Sequence, residues 1–501
     1  MTHQPRPLPK TSTIRDLAVT ASLYGFATLP ADWHSLTEAA KTREASALLK
    51  RLAEECERSK AARESEDLRA IVGKFLAATR EATTRNSSPP LARGPRNPGR
   101  IRVAFLLPVF QCGGVESWTI SLCREFRNAS ELGIDVVGVG LILGEGDDSQ
   151  PNPTTLAELQ QFAPVVTSGR HGSTTMAARD GREVVRMLGV NSDVLVAWSL
   201  PQLGWLLGGL GDESSDDDER PFVVGVSHGC ADWWMREAAD SVDHWAAVSR
   251  AAVAPIPKAA KDAGRVSVVL NGIDLERIGF GGHGWQPDFL TARQELGISD
   301  DEKLIVSVGR VSPEKRLATV AAALKFLPDS HLAIVGGAIG EVGEMESARI
   351  REAARMAGAA DRLTFVSATR SPARWLAAAN SFVVNSASEG YCLAAVEALA
   401  ALVPIVSTRV GVLADPELDG FGEWIGSEAT PQEIAAAVAK VHRGGAEIQA
   451  RRRDAARWAR EHHSAAAMAG RWAEFLVRIA EKEREAPSRH LHRAEFCQSS
   501  R

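Results

Sequence analysis

Short apolar runs alternate with helical stretches in two series along this chain. The first series covers residues 101–270 and the second covers residues 303–408. A buried strand that is followed by a helix pairs with the next strand in parallel, because the helix carries the chain back across the sheet. The alternation therefore predicts two α/β domains in tandem, each a parallel sheet covered by helices.

Length and composition agree with two domains and exclude several classes of protein. A chain of 501 residues exceeds one ordinary hydrophobic core. The net charge of -5 gives no overall basic field, so no nucleic-acid partner is expected. Six cysteines without a Cys-x-x-Cys pair indicate reduced thiols and a cytoplasmic protein. The N-terminus lacks the apolar core of a signal peptide, and polar residues break the most apolar long run at 194–210, so no membrane span is expected.

Three segments outside the alternating pattern have a distinctive composition. Residues 1–80 carry leucines at helical spacings among mixed charges, which predicts helices. Residues 85–102 are rich in Pro, Gly, Ser and Arg, as a solvated linker is. The run at 212–219 contains only acids and serines, which favours a solvated surface loop over a metal-binding site.

The stretch at 381–408 places two glutamates where a ligand is expected. Its pattern predicts a strand, a loop, a helix at about 391–402 and a second strand. Ligands of open α/β sheets bind beyond the carboxyl ends of the strands. Glu389 lies in that loop and Glu397 lies two turns into the helix. Two carboxylates that face one crevice can hold the hydroxyls of a sugar or a ribose.

Other polar groups follow strands at the same predicted edges. Gly113 and Gly114 open a helix whose free N–H groups suit a phosphate, although such a pair equally marks a tight turn. Arg310 and Lys315 follow the first strand of the second series, where they can clamp a diphosphate or form salt bridges at a solvated helix start. His228 ends a strand of the first series. A lone histidine is more often structural, but this position favours the ligand side.

The order of the motifs is more specific than any one of them. Gly-Gly after the first strand and His-Gly late in the first series are followed by Asn-Gly-Ile-Asp at 271–274. Gly-Arg-x-x-x-Glu-Lys at 309–315 comes next, and then Ser-x-x-Glu-Gly at 386–390 with a second Glu eight positions on. In that order, over residues 101–484, the motifs resemble glycosyltransferase family 4. The resemblance implies the GT-B fold, in which two Rossmann-like parallel-sheet domains face a cleft.

The resemblance and the composition together divide the chain into five parts. We expect a helical extension with a Pro/Arg-rich linker at 1–98, an N-terminal Rossmann-like acceptor domain at 99–272, a C-terminal Rossmann-like nucleotide-sugar donor domain at 273–464, a closing helix that crosses back to the N-terminal domain at 465–484, and a disordered tail at 485–501.

The resemblance also implies roles for single residues. Glu397 would bind the ribose hydroxyls of a nucleotide, and Glu389 would face hydroxyls of the donor sugar. Arg310 and Lys315 would hold the diphosphate. His228 would lie near the anomeric carbon, so His228 and Glu389 are the expected catalytic residues. The other expected donor-binding residues are Gly113, Gly114, Gly390, Tyr391, Cys392 and Leu393.

By the same resemblance the protein is expected to be a retaining glycosyltransferase of the hexosyltransferase type, EC 2.4, in polysaccharide or glycoconjugate biosynthesis. Its donor would be a nucleotide-diphosphate sugar and its acceptor a glycan, a lipid-linked molecule or a small molecule. No metal and no other cofactor is expected. Peripheral contact with the inner face of the membrane is a weaker hypothesis, based on Arg179, Arg182 and Arg186 of one predicted helix. Such basic faces are usually just solvated.

Four positions depart from the family pattern. The family usually has glycine where Leu402, Val412 and Ser367 stand, and an acid where Gly337 stands. A non-catalytic GT-B scaffold would account for the lost glycines, but it would not be expected to keep the cations and both glutamates together. A sugar-nucleotide epimerase would form product without an acceptor. A nicotinamide dehydrogenase would need a glycine fingerprint after its first strand, and residues 335–340 lack that spacing.

Overall fold

The computed structural model describes residues 97, 99–108, 110, 113–143, 151–168, 176–178, 180–210, 220–229, 233–279, 289–367 and 372–485. Three predicted segments fall outside these residues, namely the helical extension up to residue 96, the acidic run at 212–219 and the tail from residue 486.

The first sheet is parallel and has eight strands. They are β1 Ile101–Leu107, β2 Ile134–Leu141, β3 Val165–Ser168, β4 Met176–Ala178, β5 Val194–Ala197, β6 Phe222–Ser227, β7 His244–Ala247 and β8 Val266–Val268. Their order across the sheet is β4-β3-β2-β1-β5-β6-β7-β8. All seven residues of β1 are buried, as a central strand covered on both faces requires.

Helices cover both faces of this sheet. They are α1 Gly114–Asn128, α2 Pro153–Leu159, α3 Gly181–Gly189, α4 Leu203–Leu207, α5 Trp233–Glu237 and α6 Lys258–Asp262. The first of them, α1, buries Trp118 and Phe126 in the core, and the Trp118 ring meets Phe105 of β1 edge to face at 5.6 Å.

The second sheet is also parallel and has six strands. They are β9 Lys303–Val308, β10 Ser330–Val335, β11 Leu363–Val366, β12 Ser381–Val384, β13 Ile405–Ser407 and β14 Gly422–Trp424. Their order is β11-β10-β9-β12-β13-β14. The accompanying helices are α7 Phe289–Leu296, α8 Leu317–Ala323, α9 Gly340–Met356, α10 Ala373–Ala378, α11 Leu393–Ala400, α12 Pro431–Arg443 and α13 Ala446–His462. The prediction of two parallel α/β sheets is therefore confirmed.

The chain crosses between the two sheets twice, and the two crossing segments pair. The Ile273 N–H donates to the His463 carbonyl at 2.7 Å, and the Ala465 N–H donates to the Ile273 carbonyl at 2.8 Å. We call residues 271–274 and 463–465 together the hinge. The last helix, α14 Ala465–Glu485, then packs on α1, with the rings of Trp472 and Trp118 5.4 Å apart.

Some element bounds differ from the sequence expectations. The helix expected at about 391–402 is the shorter α11, because Cys392 (φ 77°) and Leu402 (φ 62°) take left-handed conformations outside its two ends. The apolar-run pattern missed β3, β4 and β14, which have only three or four residues and lie at or beside a sheet edge. No helix within the described ranges is both long and apolar enough to cross a bilayer.

Candidate active site

A small cavity lies at the carboxyl ends of β9 and β12. From the β9 side it is lined by Gly309, Arg310 and Lys315, and from the β12 side by residues of the loop at 385–392. We call this loop the donor loop, after the donor-binding residues expected there from the sequence. Two parallel strands present their following loops at the same edge, so the fold brings together polar groups that lie about 75 positions apart in sequence.

An ion pair holds the two sides of the cavity together. The Lys315 ammonium lies 2.5 Å from the Glu389 carboxylate, which also accepts a hydrogen bond from the Ser386 hydroxyl at 2.7 Å. Burial opposes the charge on Lys315, but its acidic neighbours, Glu389 foremost, together hold its pKa above the ordinary value. Lys315 is therefore a fixed cation at neutral pH.

Arg310 lies at the mouth of the same cavity and, unlike Lys315, is mostly exposed to solvent. Its side chain is 62 % exposed and approaches Glu314 at 3.6 Å. A pair this open to water is weakly held, so the guanidinium is free to turn toward a ligand at small cost. The structure thus brings Arg310, Lys315 and Glu389 together, with one cation fixed and one adjustable.

Two helix N-termini meet across the cleft beside this cavity. Cys392 caps α11 in the left-handed region, and Leu393 is the first residue of that helix. A Cβ atom on Gly114, at the start of α1, would lie 3.3 Å from the Leu393 side chain. Free N–H groups and the positive ends of two helix dipoles therefore face one region, which favours an anion there.

Glu116 is a group in this region that the sequence analysis missed. A Cβ atom on Gly113 would lie only 2.8 Å from the Glu116 carboxylate, which is buried in the first turn of α1. An acid in the first turn of a helix is a common stabilising feature. The sequence signal for Glu116 was its position three residues after Gly113, which places it in the first turn of the predicted helix.

The side chain of His228 does not line the cavity. The ring is buried against Trp118 at 4.6 Å and Trp198 at 6.0 Å, and its Nε2 atom has no hydrogen-bond partner within the described residues. Burial lowers the pKa of His228 to about 3, so the imidazole is neutral. The main chain of His228 does reach the cleft, where it touches the donor loop.

The cleft is closed at this contact. A Cβ atom on Gly390 would lie 1.8 Å from the His228 carbonyl oxygen, so only glycine fits between the two backbones. The Ser249 hydroxyl of the first domain also donates to the Gly390 carbonyl at 2.5 Å.

The structure places Glu397 apart from Glu389. Glu397 is buried and does not line the cavity. Burial raises the pKa of its carboxyl, the positive charge of Arg277 lowers that pKa, and the negative charge of Asp274 raises it further. Asp274 also binds Arg124 of α1 at 2.5 Å, and Arg277 binds the Ser117 hydroxyl at 2.6 Å. Glu397 therefore belongs to a charged cluster between α1, α11 and the hinge, which the sequence analysis did not foresee.

Tyr391 also points away from the cavity, since its hydroxyl bonds to the hinge. Cys392 does line the cavity, and burial raises the pKa of its thiol, which is therefore uncharged beside Lys315. Within the described ranges, no three His, Cys, Asp or Glu side chains gather as a metal-binding group.

The proposed basic face on α3 is already engaged in internal contacts. Arg182 donates to the Gly208 carbonyl and lies over the Trp205 ring at 5.6 Å, and Arg186 bonds to Glu183 at 3.5 Å. Arg179, the third arginine of that face, lies outside the described residues.

Two parallel-sheet domains that close on a cleft, with a last helix that returns to the first domain, define a GT-B protein. The described architecture is similar to that of Anabaena HepE solved with UDP and glucose, at a TM-score of 0.61 and 20% identity over 75% of this chain and 100% of that one. It is also similar to sucrose-phosphate synthase of Thermosynechococcus elongatus, at a TM-score of 0.57 and 17% identity over 76% of this chain and 99% of that one.

Within this fold, residues 288–460 match the family model described as Glycosyl transferases group 1. The chain is 35% identical over 188 residues to D-inositol 3-phosphate glycosyltransferase 2 of Catenulispora acidiphila, which covers 36% of this chain and 42% of that protein. It is 33% identical over 178 residues to the lipopolysaccharide core biosynthesis mannosyltransferase LpsB of Rhizobium meliloti, covering 34% of this chain and 46% of that protein. The chain thus spans less than half the length of these two relatives, and the predicted family resemblance is confirmed for its second domain.

Proposed function

We propose that the protein is a glycosyltransferase that moves a sugar from a nucleotide-diphosphate sugar to an acceptor. The observation that carries this proposal is the cavity where Lys315, Arg310 and Glu389 meet beside the N-terminus of α11. The family match at 288–460 includes every residue that lines this cavity. The names of the two curated relatives, and the UDP and glucose bound by HepE, support a nucleotide sugar as the donor.

The positive groups would stabilise the leaving group. When the bond between the anomeric carbon and the phosphate oxygen breaks, negative charge grows on the nucleotide diphosphate. Lys315 supplies a partly buried point charge, the Arg310 guanidinium can adjust to the phosphates, and the N-terminus of α11 adds its dipole. In this proposal fixed cations serve in place of a metal ion.

The carboxylates would recognise hydroxyl groups. Glu389 already accepts hydrogen bonds from Lys315 and Ser386, so a donor that draws Lys315 toward its phosphates frees Glu389 for sugar hydroxyls. Glu397 would bind the nucleotide ribose; burial raises its pKa, and the neighbouring Arg277 favours its charged form.

His228 would act through its main chain. Its ring is enclosed by tryptophans, whereas its carbonyl oxygen lies against the donor loop. In this proposal the His228 carbonyl lies beside the anomeric carbon of the donor sugar. The acceptor binds to the first domain, and the sugar is transferred with retention of its anomeric configuration. The acceptor class is a glycan, a lipid-linked molecule or a small molecule.

Binding of sugar nucleotides tests the first part of this proposal. A thermal-shift panel of sugar nucleotides should identify the donor, since a ligand at 100 times its Kd stabilises the folded state by about 2.7 kcal/mol. The retained anomer of the product, read by proton NMR, tests retention, and an unchanged rate in EDTA tests the role of the fixed cations. A protein that no sugar nucleotide stabilises would contradict the assignment.

Replacement of Lys315 tests the mechanism. Lys315→Ala should raise the barrier by about 2 kcal/mol or more, roughly thirtyfold in kcat/KM, because it removes the fixed cation at the leaving group. Lys258→Ala is the matched control, since Lys258 forms an ion pair of the same 2.5 Å length with Asp262 on the exposed face of α6. Unchanged donor hydrolysis and transfer in Lys315→Ala would remove the proposed role of Lys315.

A further inference from the structure

The donor loop is fastened to the hinge by the hydroxyl of Tyr391. This hydroxyl lies 2.8 Å from the Asn271 carbonyl oxygen and is hydrogen-bonded to Nδ1 of His463. Asn271 belongs to the first crossing segment and His463 to the second. The Tyr391 side chain of the donor loop therefore bonds to both crossing segments that join the two domains.

The arrangement of protons at this contact follows from the number of donors available. A hydroxyl has one proton, and when Tyr391 donates it to the Asn271 carbonyl, Nδ1 of His463 must donate to the Tyr391 oxygen. Burial lowers the pKa of His463 to about 4, so the imidazole is neutral and carries its proton on Nδ1. The Trp458 ring packs against the imidazole at 4.0 Å and holds it in place.

Three consecutive residues of the donor loop contact three different parts of the molecule. Glu389 binds the cation Lys315 of the second domain, Gly390 touches the backbone of the first domain, and Tyr391 binds the hinge. Consecutive Cα atoms are only about 3.8 Å apart, so these contacts cannot form or break independently.

We propose that Tyr391 is a positioning residue that couples closure at the hinge to the placement of Glu389 and of the N-terminus of α11. This inference rests on the proposed function, since it assigns a role within the same site. Opening of the cleft would separate Gly390 from His228 and change the hinge, and the Tyr391 hydroxyl transmits that change to the donor loop. Tyr391 touches no donor atom in this scheme.

Kinetics separate positioning from donor binding. Tyr391→Phe should lower kcat about tenfold, equivalent to about 1.36 kcal/mol, and should change the Kd of the sugar nucleotide identified by the binding panel by less than twofold. His463→Asn keeps an N–H donor near the Nδ1 position, so its kcat should stay within twofold of the wild-type value. His463→Leu lacks that donor and should reproduce the Tyr391→Phe loss. A wild-type kcat in Tyr391→Phe, or an equal loss of kcat and of nucleotide affinity, would overturn the proposal.

A spectroscopic readout tests the coupling without any turnover. The chain has two tyrosines, Tyr24 and Tyr391, so labelling with 3-fluorotyrosine gives two fluorine resonances that Tyr24→Phe assigns. The Tyr391 resonance should shift in Ser249→Ala, which removes the hydrogen bond from the first domain to the Gly390 carbonyl without changing a residue next to Tyr391 in sequence. A resonance that does not move would overturn the coupling. If the wild type transferred no sugar, the proposed function would fail, and this shift would still decide whether cleft and hinge are linked.

Discussion

The closed contact at Gly390 makes a quantitative prediction about the Gly390→Ala variant. Gly390 does not have a left-handed φ, so alanine fits its backbone conformation. The new Cβ atom would lie 1.8 Å from the His228 carbonyl oxygen, 2.4 Å from the His228 carbonyl carbon and 2.8 Å from the Gly229 nitrogen. These are main-chain atoms, which cannot rotate out of the way.

The size of the effect follows from how far the domains must separate. Real Cβ contacts essentially never fall under 3.0 Å, so the His228 oxygen must retreat by at least 1.2 Å, the difference between 3.0 and 1.8 Å. A misplacement of about 1 Å at a reacting centre can cost 10²-fold in rate. We therefore expect kcat/KM to fall about 100-fold, or about 2.7 kcal/mol. Each domain should remain folded, because opening the cleft relieves the clash.

Steady-state kinetics with the identified donor measures this loss, and small-angle scattering with and without the donor measures closure. Gly229→Ala is the matched control, because a Cβ atom at Gly229 would meet no atom within 4 Å. Wild-type kcat/KM in Gly390→Ala would refute the closed contact as part of the reacting state. So would an equal loss in Gly229→Ala.

Two further predictions concern stability. Burial lowers the pKa of His228 to about 3 and of His442 and His463 to about 4, below the ordinary value of 6.5. The unfolded state therefore binds more protons between pH 6.5 and pH 4, and urea titrations should show stability falling with acid by about 1.4 kcal/mol per pH unit for each histidine; a flat profile from pH 7 to pH 5 would contradict this. Leu402 has a φ of 62°, so Leu402→Gly should be about 1 kcal/mol more stable than Leu402→Ala by thermal unfolding, the reverse of the usual order.

Much of the fold was predictable because parallel strands buried on both faces produce continuous apolar runs. Each run of five or more buried residues, such as β1 and β6, marks a strand in the sequence. The strands that the pattern missed are short and lie at or beside a sheet edge; β14, for example, has three residues of which only one is buried, so it leaves no distinctive apolar run.

Part of the candidate site was predictable for a related reason. Loops that follow parallel strands gather at one edge, so the positions of Arg310, Lys315 and Glu389 after two predicted strands were enough to bring them together. The unusual Leu402 was also marked in advance, and the structure shows the left-handed conformation that favours glycine there.

Side-chain direction was not predictable, because it depends on neighbours far away in sequence. Glu397 faces the hinge, and one of its neighbours there, Asp274, is bonded to Arg124, 150 positions earlier in the chain. The ring of His228 is held by Trp118 and Trp198 rather than by anything near it in sequence. No local pattern contains that information.

The paired crossing segments affect how mutations and insertions in one domain act on the other. Ile273 and Ser464 form a parallel bridge, so the chain leaves the first domain and rejoins it at adjacent points. In covalent terms the second domain is an insertion within a unit made of the first sheet and α14. The segment that matches the family, 288–460, lies wholly inside this insertion. A mutation or an insertion in one domain therefore need not disturb the strand register of the other, so the first sheet can change while the cavity with Arg310 and Lys315 keeps its geometry.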